Sequence, residues 1–565
     1  MIERARPRLP KPRVTWLDRA IALASPAAAT ERVAARLRFD MTASGYHAAR
    51  NDRPALRGWN PRPRGADEDA LPRLADQRGR AREMHMNTPL ARGAVLTTVS
   101  NVVGTGLRLT AQPDREALQN AGLTRQQIEA AEGALEREWA LATRGKTMDI
   151  HRRLTWPEMQ ELAFTSQLCS GDVFAAFVAA PRGGLFDIAM QLIEADSVGN
   201  PHFRANTDLL GDGIEYAPGG MPVAIHVAEY PRMGGMPKKW SRLPIWAPDG
   251  APRVLHLMRA DRIGQSRGVP FLAPVMGALK DLEQYTEAEL RAAVINACIA
   301  IMGQTPDGSS PLAAEAAATG SADATAQPGL RRADIEFEPG MVLEGFLPGE
   351  ELKAFAGERP VTGFDPFIQA ILRQIGAALE IPFEVLIKHF TASYSAARAA
   401  LLEAWKFFRG RRAWLAAALC QPTYEQVIAN AVLRGRLVLP GYMEDALMRA
   451  AWLGADWNGD SPGQINPNAE VEAAVARIEG RLSTRTRETA ELTGQNWERV
   501  ARLDAQERAF LAEIGAPLTA EAAATPAAPP PPMPVPDGQP DDGQGDDDED
   551  EERAEQQRAA ESMAP

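Results

Sequence analysis

Gly145-Lys146-Thr147 has the ending of a phosphate-binding loop, in which backbone amides cradle phosphate and the lysine reaches the outer oxygens. Such a loop needs another glycine five positions before its second one, and Ala140 stands there. The residues ahead of it read as helix, not as the buried strand that would aim those amides. Histidine is the next candidate, as metal ligand or proton carrier. His47, His85, His151, His202, His226, His256 and His389 show neither H-E-x-x-H nor any paired-ligand spacing. His226 and His256 fall in strand-like runs, where packed or solvent-facing roles are expected. A G-x-S-x-G nucleophile elbow is absent, and no two acids stand out as an acid–base pair. Cys169, Cys298 and Cys420 lie far apart in apolar helical contexts, which predicts buried free thiols. The expectation is a chain with no catalytic residues, no metal and no cofactor. What remains is cationic: His151-Arg152-Arg153, Lys388-His389 and Arg409-Gly410-Arg411-Arg412. The first and last read as solvated or subunit-interface patches, with contact to DNA or to an acidic neighbour as the alternative.

These residues need a frame. At 565 residues the chain exceeds one ordinary core, and two to four domains are expected. No run approaches the ~18 consecutive apolar residues of a membrane span. The basic N-terminus is not followed by a signal-type apolar region, because Ala20–Ala29 is short and interrupted by Pro26. The expected setting is a reducing cytoplasm. Charge is unevenly spread: residues 1–82 carry +9, residues 83–520 carry −10 and residues 521–565 carry −11. A protein that grips DNA presents a basic face. This body is acidic, so DNA as a partner would be conducted more than held, because an acidic wall repels phosphate.

Residues 1–82, rich in Arg, Pro and Ala, read as a flexible basic arm. Thr88-Pro89, Thr124 with Gln127, and Thr155-Trp156-Pro157-Glu158 are helix start signals. Short β-rich runs follow at 173–179, 186–195, 213–230 and 253–258, with Pro218-Gly219-Gly220 as a hairpin turn. Then comes a polar, basic loop, Asp261 to Pro270, and behind it a long helix to about Met302. Val275, Leu279, Leu282, Thr286, Leu290, Ala293, Ala297 and Ile301 make one stripe along that helix. Glu287 and Arg291 sit four apart on it and can pair. Residues 303–363 read as a mobile polar loop and short strands, 364–380 as a return helix, and 381–395 as a link. A long helix from Ser395 is expected to kink or split at Gly410, and helices continue to Ile514. Residues 516–565, Pro-rich and acidic, cannot bury enough apolar surface to fold. The fold class is α+β.

Three segments resemble the lambda-type phage portal family. GQSRGVPFLAPVMGALKDLEQYTEAELRAA, from Gly264, is similar to the family's central signature. NTPLARGAVLTTVSNVVGTGLRL, from Asn87, is similar to its early helix and strand. SYSAARAALLEAWKFFRGRRAWL, from Ser393, is similar to its late long helix. They occur in the family's order. The resemblance implies a wing at 83–270 and 396–465, stem helices at 271–302 and 364–380, a clip at 303–363, a tunnel loop at 381–395 and a crown at 466–515. It implies a closed ring, dodecameric in the family, at one capsid vertex, with double-stranded DNA passing along the axis without sequence specificity. The implied partners are further copies of the chain, the terminase large subunit, the major capsid protein and head-completion or adaptor proteins, with no membrane. The implied location is the virion, after assembly in the host cytoplasm. N-terminal trimming occurs in the family, and no sequence feature here fixes a site for it. Lys388 and His389 fall in the tunnel loop on this assignment, so a ring would turn them toward phosphates in the channel. The alternatives are a packaging nuclease or ATPase, and a DNA-gripping structural protein.

Overall fold

The computed structural model describes residues 16–42, 63–180, 184–231, 235–297, 301–304, 351–354, 364–389, 394–461, 467–495 and 497–514. The chain divides into two units, Met1–Gly494 and Gln495–Pro565. In the first, α1 (Trp16–Ala24) packs on α2 (Pro26–Thr42), with Arg32 3.3 Å from the buried Asp18. Next come α3 (Ala66–Ala70), α4 (Leu74–Asn87), α5 (Pro89–Val102), β1 (Arg108–Ala111), α6 (Arg115–Asn120), α7 (Arg125–Thr143) and α8 (Trp156–Ser170). The arm expected over residues 1–82 is therefore helical at 16–42, and its end belongs to the body. Leu74, Arg78 and Ala81 on α4 are buried. A few well-placed apolar residues suffice there, because charged side chains supply the rest of the contact.

The helix start signals are realised where capping is possible. Thr124 and Gln127 form a reciprocal capping box on α7, and Thr155 and Glu158 form one on α8. Thr88 holds the cap position of α5 without a side-chain hydrogen bond. The strands then run β2 (Asp172–Ala179), β3 (Ile188–Glu194), β4 (Leu210–Gly211), β5 (Ile214–Tyr216), β6 (Pro222–Glu229), β7 (Lys239–Pro244) and β8 (Val254–Met258). They make two antiparallel sheets, ordered β3-β2-β8 and β4-β5-β6-β7. Successive side chains of β2 point to opposite faces. Val173 and Ala175 join the large helical core, while Phe174 and Ala176 join a smaller core with Ile214, Ile225 and Ile245. That double burial explains why β2 reads as an unbroken apolar run.

Beyond the loop at 261–270 lies α9 (Met276–Ala297), followed by β9 (Ile301–Gln304), which pairs with β10 (Glu351–Ala354). The long helix expected to Met302 thus ends earlier, and Ile301 and Met302 are strand. The polar loop expected at 303–329 and the short strands expected at 333–355 lie outside the described residues except at 303–304 and 351–354. Then come α10 (Phe364–Ala378), α11 (Phe383–Ile387), α12 (Tyr394–Leu415), α13 (Gln421–Leu433), α14 (Ala446–Trp452), β11 (Ala455–Asn458), α15 (Pro467–Glu479) and α16 (Arg485–Thr493). The link expected at 381–395 contains a helical turn. The helix expected to break at Gly410 runs through it, and the irregularity sits later, as a π turn at Ala416–Cys420. The second unit contributes α17 (Trp497–Glu513).

Among the described residues, the N-terminal part of the stripe enters the core and Leu290 does not. Val275, Leu279 and Leu282 enter the large core, as do Leu372 and Ile375 of α10. Tyr285 stacks on Phe364 and meets Phe367 edge-on, at 5.6 and 5.3 Å between centroids. Leu290 is 65% exposed. On the far side of the core, Trp139 makes edge contacts with Trp156, Tyr424 and Trp457, which locks α7, α8, α13 and β11 together. β11 closes the body by pairing with β1, from Arg108↔Asn458 to Ala111↔Ala455.

Candidate functional site

The most concentrated polar chemistry lies where the basic loop meets α4 and β2. Two glycines permit it. Gly171 ends α8 at φ +88°, and a side chain there would strike the Gly268 carbonyl. A side chain on Gly268 would strike Gly171 in return. With both bare, Asp172 lies directly beneath the loop. Its carboxylate accepts from Arg267 Nε at 2.6 Å, Arg78 Nη2 at 2.9 Å, His256 Nε2 at 3.1 Å and the Gly268 amide at 3.2 Å.

Arg267 is fully buried and spends its remaining donors mainly on backbone carbonyls and on the Asp212 carboxylate. Nη1 donates to Val198 O at 3.0 Å and to Asp212, and Nη2 donates to Ala195 O at 2.7 Å. Arg78 Nε donates to Ser170 O at 2.9 Å. The Arg267 guanidinium also lies over Phe174, which stacks on His256 with 4.2 Å between ring centroids. Burial by itself would raise the Asp172 carboxyl, but Arg267, the His256 bond and Arg78 outweigh it and hold it far below the usual range. Burial lowers His256, and its bond to Asp172 does not reverse this because Arg267 and Arg78 repel the imidazolium. His256 is therefore a neutral ring donating one proton to Asp172.

The rest of the loop is fastened by residues expected to be irregular chain. Arg262 binds Asp69 and donates to Arg64 O at 2.8 Å, and the Ser266 amide donates to Asp67 at 2.7 Å. Arg82 pairs with Glu194 and Asp196. Arg78 and Asp172 were not singled out from the sequence. The available signal was Gly171-Asp172, an acid immediately after a helix stop and before an apolar strand.

The other sequence candidates are dispersed. Thr147 turns its hydroxyl back to Ala142 O and Arg144 O, at 3.0 and 3.2 Å, so Gly145-Lys146-Thr147 caps a helix end. In His151-Arg152-Arg153, the His151 and Arg153 amides bind Asp149. Arg412 donates to the carbonyls of Val102, Asn101 and Asp460 at 2.8–3.0 Å, clamping α5 to the segment after β11. Arg411 faces the other way, over Phe407 and Phe271. Lys388 ends α11 in the left-handed region at φ +56°, and the His389 amide donates to Glu384 O at 3.1 Å. Val385 and Leu386 anchor that turn in the core, while Lys388 and His389 are exposed. Glu287 and Arg291 pair along α9. Cys169 and Cys420 are buried free thiols, and Cys298 lies outside the described residues. Among the described residues no group of acids, histidines and cysteines could hold a metal ion, and no helix is long and apolar enough to cross a membrane.

Charged side chains here fasten backbone segments to one another. The chain belongs to the lambda family of phage portal proteins, whose family model matches residues 52–412. It is 26% identical over 467 residues to portal protein B of Escherichia phage lambda, covering 79% of this chain and 86% of that one. It is 27% identical over 466 residues to the portal protein of Escherichia phage N15, covering 79% and 87%. Among solved structures it is similar to the neck of an empty GTA particle computed with C6 symmetry (17% identity, TM-score 0.38, 74% of this chain and 93% of that one). It is also similar to the virion of a native gene transfer agent particle (14% identity, TM-score 0.39, 76% and 93%).

Proposed function

We propose that this chain is a phage portal subunit, forming a dodecameric ring at one capsid vertex through which double-stranded DNA is packaged and ejected. The observation that carries the reading is the family match across residues 52–412, which spans the body from before α3 into α12. In this assignment the wing is 83–270 with 396–465, the stem helices are 271–302 and 364–380, and the clip is 303–363. The tunnel loop is 381–395 and the crown 466–515. The interlocked charges around Asp172 support a rigid wing, as a ring under load from moving DNA requires. Head-to-tail contacts that close by rotation generate such a ring.

The acidic body supports conduction over gripping, since fixed negative charge keeps the duplex from adhering. Lys388 and His389, exposed on an anchored turn, touch backbone phosphates in passing. The clip docks the terminase large subunit, which supplies the chemistry, and head-completion proteins later take its place. The major capsid protein surrounds the ring, which is assembled in the host cytoplasm. Electron micrographs of the purified full chain test the reading. Rings with a central hole support it, and a compact monomer overturns it. Turnover of ATP, or of DNA with divalent metal, would instead favour a packaging enzyme.

A further inference from the structure

A cleft of about 720 Å3 opens between the end of α10, α11 and the middle of α12. Arg259, Arg373 and Arg411 line it, and among the described residues none of the three forms an ion pair. Arg373 donates to Gln369 at 3.1 Å and lies over Phe383, 5.3 Å from its centroid. Arg411 lies over Phe407 at 5.0 Å and Phe271 at 5.7 Å, and its buried Nε has no acceptor. Burial and the Arg259 charge pull Arg411 down to about 10, and Glu380 and Asp261 do not restore it. Lys406, on the same rim, is already paired with Glu403 at 2.6 Å. Arg411 is partly buried, Arg259 and Arg373 are exposed at the mouth, and among the described residues no carboxylate pairs with any of the three.

The shape of the vacancy selects its occupant. A guanidinium laid on an aromatic face keeps its in-plane donors available, and that edge matches a planar carboxylate. Phe383, Phe407 and Trp414 give the cleft apolar walls, the mixture of aromatic and arginine found at the centre of protein interfaces. Glu380 and Glu403 also line it and would repel a polyanion carrying a phosphate at every step. The body of this chain, at −10 over residues 83–520, offers carboxylates in excess.

We propose that the cleft is a docking site for a second copy of this chain, which inserts an aspartate or glutamate carboxylate among Arg259, Arg373 and Arg411. The inference rests on the ring reading and adds the place where neighbouring copies lock. It is tested on the full chain by mass photometry over a dilution series. Arg259→Glu is the clean variant, because Arg259 is exposed. Arg259→Glu and Arg373→Glu are expected to raise the concentration for half-assembly about tenfold or more each. Arg411→Lys, which keeps the charge and loses the fork, is expected to raise it less. Lys406→Gln, whose charge is already paired, is expected to assemble like the parent, and Arg259→Glu to keep the parent's thermal unfolding midpoint. Charge-reversed variants that assemble as well as the parent overturn the inference and leave the ring intact. Variants that assemble normally but bind a short duplex more weakly in a filter assay assign the cleft to DNA and also overturn it. A parent chain that stays monomeric at every concentration overturns the ring reading and this inference with it.

Discussion

Replacing Asp172 with Asn tests the idea that charge, more than apolar packing, holds the loop to the body. The substitution preserves shape and removes the carboxylate that Arg78, Arg267, His256 and the Gly268 amide share. Breaking a buried ion pair from one side costs roughly 3–5 kcal/mol, because the surviving charge stays desolvated. Asp212 remains 3.1 Å from Arg267, and Asp196 remains 3.6 Å from Arg78. Those counter-charges place the expected loss near the lower end, about 3 kcal/mol at neutral pH. The pH dependence is a second signature. The folded carboxyl of Asp172 is depressed, so its contribution is present above the unfolded value near 4 and is lost as pH falls, at about 1.4 kcal/mol per pH unit. His256 is also depressed, so protonation below the unfolded value near 6.5 disfavours the fold with the same sign. The parent therefore loses stability on acidification in two stages, and the variant lacks the carboxylate stage. Urea unfolding at pH 7 and pH 3, followed by tryptophan fluorescence, measures both. A variant within about 0.5 kcal/mol of the parent at pH 7, or an equal difference at both pH values, refutes the reasoning.

Other substitutions probe the remaining elements. Lys388→Ala and His389→Ala are expected to change stability by less than about 0.5 kcal/mol, since both side chains are exposed, and to lower the DNA retained per particle. Unchanged packaging and retention remove them from the channel wall. Deleting residues 1–62 is expected to leave the thermal midpoint of the body unchanged. Deleting 1–82 removes Asp67, Asp69, Arg78 and Arg82 from their partners and is expected to cost about 3 kcal/mol or more. Equal midpoints for the two deletions would contradict the assignment of residues 63–82 to the body. In a Cys298→Ser background, burial raises Cys169 to about 11 and pushes Cys420 up as well, so both are expected to resist a disulfide reagent at pH 8 until the chain unfolds. Labelling as fast as in denaturant would show that the core is open.

Local signals were legible where one residue type has one use. Thr124 with Gln127 and Thr155 with Glu158 cap helices because a hydroxyl and a side-chain carboxamide or carboxylate three residues apart can each bind the other's backbone amide at a helix start. The apolar run at 173–179 was legible as a strand, and its burial on both faces explains its composition. The Asp172 cluster was not legible. Arg78, Asp172, His256 and Arg267 are ordinary surface residue types, and only the approach of Gly171 to Gly268 makes them interior. The same reason hid residues 63–82, whose apolar content is too low to announce a buried segment. The end of the long helix was misread because Ile301 continues the stripe in phase, while its actual partner is Ala354 on β10. Arg411 and Arg412 are adjacent in sequence, yet one clamps backbone and the other faces a cleft. No spacing rule separates them.

The pairing of β1 with β11 sets a clock on synthesis. Thr105 binds Asp460 through amide and hydroxyl at 2.8 Å, across 355 positions of sequence. A ribosome adding roughly 5–20 residues per second leaves the edge of β1 without that partner for about 20–70 s. During that interval the α7–α8 region can collapse, but the body cannot close. Every nascent copy thus passes through an open state in which β1 lacks its strand partner. Closure of each monomer and encounter with its neighbours are then competing events, and a slower translation of residues 300–460 would favour the wrong one.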